Sequence, residues 1–157
     1  MKFNKKKRGV GMKGTWTIKE IDTETGEVIS EEIKENIVVD DGADRVAEYI
    51  NGDSVDDFDY MAVGDGAIAG DSPSSDTSAL VSEQDRSGAL TSEIVDGNTV
   101  RWAHTFDAGD GKAALTEAGM FDDPSAGTML NHIIFDTEKD NENNDLQLTI
   151  DLEVQSG

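Results

Sequence analysis

The residues able to do chemistry in this chain are carboxylates above all. Asp and Glu number 34, and Asp is the commoner of the two. They gather at Asp40-Asp41, Asp56-Asp57-Asp59, Asp65 to Asp71 and Asp122-Asp123. A hard cation is held by several oxygens, often from closely spaced Asp on a loop containing Gly. Asp65 beside Gly66 with Asp71, and Asp107 with Asp110-Gly111, come nearest to that pattern. Asp65, Asp71, Asp107 and Asp110 are therefore the candidate ligands for Ca²⁺ or Mg²⁺. None has the spacing of an EF-hand, and in so Asp-rich a chain such clusters also arise from composition alone.

Other catalytic chemistry has little to work with. There is no Cys, which excludes a disulfide scaffold, a thiolate zinc site and a Cys nucleophile. His104 and His132 are the only histidines. His104 falls between Trp102 and Phe106 on the inward side of an alternating run, the pattern of a buried, hydrogen-bonded core histidine. Ser72, Ser74, Ser75 and Ser78 lie in a polar stretch with no Gly-x-Ser-x-Gly elbow. Gly64-Asp65-Gly66 is followed by no Gly-Lys-Ser/Thr and is ringed by acids, so it reads as a tight turn and not a phosphate loop. The expectation is a protein that is not an enzyme.

The formal charge of −21 is unevenly spread. Residues 1–13 hold six bases (Lys2, Lys5, Lys6, Lys7, Arg8 and Lys13) and no acid, whereas the remainder holds seven bases and every acid. Such a body repels nucleic-acid phosphates and anionic lipid head groups. Its charge suits brine, where a Debye length of about 3 Å at molar salt screens self-repulsion. The arm, which also carries Phe3, is the part that points to a partner, most simply an acidic protein surface; nucleic acid is not expected. No apolar run reaches the roughly 18 residues of a membrane span, and no apolar stretch follows the basic residues as in a secretory signal.

These residues must be positioned mainly by strands. Leu146, Leu148, Ile150, Leu152 and Val154 alternate with polar neighbours, as do Val100, Trp102, His104 and Phe106, so each run has one buried and one wet face. Asp96-Gly97-Asn98 turns the second run back onto residues 89–95, and Asp22 to Glu27 joins residues 14–21 to residues 28–39 as hairpins. Residues 60–63, 114–121 and 128–135 complete about eight strands. A short helix is expected over residues 41–50, capped by Asp40 or Asp41, with Val46 and Ile50 as partners and Asn51-Gly52 as its end. Residues 64–78 and 136–145 read as polar loops. The expected architecture is an arm over residues 1–13 and a single antiparallel β-sandwich over residues 14–157, jelly-roll-like, with both Trp16 and Trp102 facing inward.

Taken together, several segments resemble a known group. They are Asn36-Ile37-Val38-Val39-Asp40-Asp41-Gly42, Tyr60-Met61-Ala62-Val63-Gly64-Asp65-Gly66, Ser75-Asp76-Thr77-Ser78-Ala79-Leu80, Glu83 with Arg86, Glu117-Ala118-Gly119-Met120-Phe121, and Gly127-Thr128-Met129-Leu130-Asn131. In order and spacing they are similar to small virion proteins of tailed viruses, found as tail-fibre, baseplate or other surface-appendage components. One departure is Asn131-His132, where that pattern carries a base, in keeping with a general loss of Lys and Arg. The resemblance covers residues 14–154 and implies a β-sandwich subunit assembled as a symmetric oligomer on a virion. Its partners would be the major capsid protein or tail subunits. With the acidic composition it implies a tailed virus of halophilic archaea. Capsid turret or decoration protein, tail component, and carbohydrate- or receptor-binding module are the functions left open.

Overall fold

The computed structural model describes residues 11–155. Among them are nine strands and one helix: β1 (Gly11–Ile21), β2 (Val28–Val38), α1 (Asp40–Ile50), β3 (Tyr60–Gly64), β4 (Glu83–Arg86), β5 (Glu93–Val95), β6 (Thr99–Phe106), β7 (Leu115–Phe121), β8 (Met129–Lys139) and β9 (Asp145–Gln155). The fold is all-β and antiparallel with one short helix, as the alternation predicts. The strands form one continuous sheet in the order β4-β3-β7-β8-β2-β1-β9-β6-β5.

β2 joins the two halves of that sheet. Its residues Val28–Asn36 pair with β1, while Ile37 and Val38 pair with His132 and Asn131 of β8. The sheet curls so that both halves share one core. Trp16, Ile18, Trp102, Phe106 and the alternating leucines of β9 meet Met61, Val63, Met120, Leu130, Ile133 and Phe135 there. The outer face of the β1–β9–β6 half is polar, carrying pairs such as Arg101 with Asp151 at 2.7 Å.

The β3–β7–β8 half is covered on both faces. A second, smaller cluster of Val39, Ala62, Leu80, Phe121 and Met129 lies behind it. The chain between β3 and β4 provides that cover, and every residue of β7 is buried as a result.

The local signals hold with four amendments. The N-cap of α1 is Val39 with no side-chain cap bond; Asp40 and Asp41 occupy the first turn instead, where their charges favour the positive helix end. Ile50 is exposed, and Val46 and Tyr49 are the residues that pack on the core. β8 runs on to Lys139, shortening the polar loop. That extension is stable because Lys139, 2 % exposed, pairs with Glu32 of β2 at 2.7 Å. β4, whose sequence Glu-Gln-Asp-Arg has no apolar face, adds to β3 as an edge strand.

Candidate functional site

Two places in the fold combine polar chemistry with burial. The first lies on the outer face of β7 and β8. Glu117 is fully buried, and its Oε1 accepts a hydrogen bond from His132 Nε2 at 3.0 Å. The register sets Gly119 opposite His132 and Ile134 opposite Glu117, so the two side chains meet diagonally across neighbouring strands. The same carboxylate accepts the backbone N–H groups of Val81 and Ser82 at 3.0–3.2 Å. Burial opposes its charge, but the bonds from His132, Val81 and Ser82 outweigh that and hold the carboxyl below its usual range. His132 Nδ1 is buried without a hydrogen-bond partner.

Around this pair the flanking chain is pinned. The Asp65 N–H donates to Ser82 O at 3.0 Å. Arg86 lies over the Phe121 ring at 4.0 Å, pairs with Glu83 at 2.6 Å, and donates to the carbonyls of Asp123 and Ala126. Glu117 and His132 are closed to solvent, so the pair holds the cover segment in place and offers no reacting group to a substrate. Sequence reasoning missed it. A single acid inside the apolar run of residues 115–121, and a His inside that of residues 129–135, were the available signals.

The second place is a groove of about 300 Å³ between α1 and one end of the curled sheet. Its floor is apolar: Met12, Val46, Tyr49, Phe58, Trp102 and Leu152. Val154, predicted inward, is on that face but 45 % exposed, because none of the described residues covers this end of β9. Asp57 and Asp59 stand at the rim, and Asp56, Asp122 and Asp123 continue the acidic surface into the adjoining hollow. Asp59 is half-buried, and burial together with the nearby Asp57 charge pushes its carboxyl up despite the Trp102 indole beside it. Trp102, 7 % exposed, turns its Nε1 toward Asp59 without closing a well-formed hydrogen bond among the described residues.

The residues singled out from sequence fall elsewhere. Asp65 accepts a hydrogen bond from Gln84 Nε2 at 2.9 Å, and Asp71 is exposed in a turn closed onto Ile68 O. Asp110 accepts the Asp107 N–H at 3.0 Å. Asp107 and Asp110 come close enough to His104, and Asp110 also to Asp85, for their charges to interact. The two Asp pairs are not brought together, and among the described residues no group of three or more His, Asp or Glu is arranged to hold a metal. His104 is only half-buried and stacks edge-on against Phe106 at 4.5 Å; burial lowers its pKa against the opposing pull of the acids. Lys2, Phe3, Lys5, Lys6, Lys7 and Arg8 lie outside the described residues. Lys13 belongs to β1, not to a free arm: it is paired with Glu153 in the ladder and with Glu35 at 3.1 Å.

Comparison with protein-family models, with curated proteins and with solved structures finds no match.

Proposed function

We propose that the chain is a structural subunit on the outer surface of a tailed-virus particle, built in as a symmetric oligomer and without enzymatic activity. One observation carries the reading. The segments through which the sequence resembles virion surface proteins converge on a single sealed framework. Gly64-Asp65-Gly66 borders the Ser82 backbone, Leu80 packs with Phe121 and Met129, Arg86 stacks on Phe121, and Glu117 ties down Val81 and Ser82. Residues with those roles maintain a shape, as an assembling subunit requires. The glycan-binding alternative receives less support, because none of the eight aromatic residues between Trp16 and Phe135 is exposed to form a stacking platform.

Within the particle we favour the capsid surface, as turret or decoration protein, over a tail fibre, baseplate or collar. The basic arm would be drawn to a shell of acidic subunits, and the excess of acids over bases suits a virus of halophilic archaea. Labelling the protein in purified virions tests this: clusters at symmetry axes of the head are expected, and a few copies at the tail tip would sink the capsid assignment. Removing residues 2–10 is expected to abolish incorporation while leaving the domain folded. The cut stops there because Gly11, Met12 and Lys13 pair with Gln155, Val154 and Glu153.

A further inference from the structure

We propose that the apolar groove beside α1 receives the basic N-terminal segment Lys2–Arg8 of a second copy of this chain. This rests on the reading of the protein as an assembling subunit, names the surface through which copies join, and makes a neighbouring copy, in place of the shell, the acidic surface that the arm meets in the oligomer.

The groove has three unmet needs. Its floor leaves Met12, Val100 and Val154 incompletely covered at the end of β1, β6 and β9. Its wall holds the indole N–H of Trp102, buried beside the Asp59 carboxylate and, among the described residues, in no well-formed hydrogen bond. Its rim carries Asp57 and Asp59, with Asp56, Asp122 and Asp123 beyond, and Arg45, the nearby cation, is already engaged with Asp122 at 2.6 Å. An extended peptide meets all three: an apolar side chain for the floor, a backbone carbonyl for the indole, and basic side chains for the rim. A cavity of this size is large enough for one such anchor.

The chain contains one segment of that composition. Phe3 is the anchor, and Lys2, Lys5, Lys6, Lys7 and Arg8 surround it without an acid. Ten residues precede Gly11, a reach of roughly 33 Å when extended. The body carries seven bases against 34 acids, so two bodies repel each other. The arm is the one stretch able to bridge them, and its seat on a neighbour gives a head-to-tail contact of the kind that closes into rings.

A charge-reversal exchange on the full-length chain tests this, read by light-scattering mass at moderate salt where charges are not fully screened. One variant carries Lys5→Glu, Lys6→Glu and Lys7→Glu; the other carries Asp56→Lys and Asp57→Lys, both at exposed positions. Circular dichroism checks that each remains β-folded. The wild type is expected to be oligomeric, each variant alone monomeric, and a one-to-one mixture oligomeric again, because each arm then finds a groove of opposite charge on the other partner. If both variants stay oligomeric, the groove is not the seat, although the assembly reading stands. If both are monomeric and mixing restores nothing, the two charge sets do not meet across copies and the proposal fails. A wild type that is monomeric at every concentration overturns the assembly reading and this inference together.

Discussion

Glu117 is a charged group at a position where charges are rarely tolerated, and its partners set how much depends on it. Its folded pKa lies below its ordinary value of 4.5. The ionised carboxylate therefore contributes stability above that value, and the contribution is lost as pH falls through the depressed folded pKa. Glu117→Gln is expected to cost about 3 kcal/mol at neutral pH, with the difference from wild type narrowing in acid. Denaturant titrations over a pH series check this, and a difference constant with pH would show that the carboxylate charge is not what holds Val81 and Ser82. Arg86→Lys keeps the charge but loses the planar fork shared among Glu83, Asp123 and Ala126 and the face laid on Phe121. A loss of about 1–2 kcal/mol is expected in the same measurement. Neither contact was legible in the sequence as a partnership. Glu117 and His132 are fifteen residues apart, and only the antiparallel register of β7 on β8 brings them together. The metal candidates show the converse: Asp65 and Asp71 stand close in sequence, and in the fold Asp65 accepts a bond from Gln84 while Asp71 lies in a turn closed onto Ile68.

Elements with strict alternation were readable because one face is wet. β1, β2, β6 and β9 emerged with nearly their observed limits, and so did the turn that places Asp96 and Gly97 at positive φ, although the strand before it, expected over residues 89–95, spans only Glu93–Val95. Elements whose partners lie far away were not. β4 has no apolar face and exists because β3 offers it an edge, while the last residues of β8 are held by Glu32 on another strand. The helix was legible in its extent and in its Asn51-Gly52 end, but the cap at Asp40 or Asp41 did not form and Val46 packs without its expected partner Ile50, which is exposed. Besides Val46 and Tyr49, the helix meets the sheet at Gly42, where an added Cβ would stand 2.3 Å from the Leu130 carbonyl oxygen. Gly→Ala inside a helix ordinarily adds up to about 1 kcal/mol. Here Gly42→Ala is expected to reverse sign and cost about 2 kcal/mol, because the helix must lift from β8. Thermal unfolding of that single variant decides the sign.

At the scale of the whole molecule, the excess of acids over bases governs the response to solvent. Few cations remain in the body to offset the carboxylates, and those at Lys34, Arg45, Arg86, Arg101 and Lys139 are already paired. The melting temperature is expected to climb from dilute to molar KCl as repulsion is screened. A melting temperature indifferent to salt would remove the case for life in brine. Charge distribution and the all-β class were open to the sequence; the continuity of the sheet was not, since it depends on two residues of β2 crossing to β8. The pairing of β1 with β9 along its whole length, Gly11 with Gln155 through Ile21 with Asp145, has a temporal consequence. β1 leaves the ribosome more than a hundred residues ahead of β9 and must wait for it before its second edge is filled. Until β9 emerges, Trp16 and Ile18 lack the leucines they pack with, and β6 lacks its place in the sheet. Folding of this domain is therefore late, slow for its size because so many contacts are distant in sequence, and dependent on a nascent chain kept from pairing with its neighbours in the meantime.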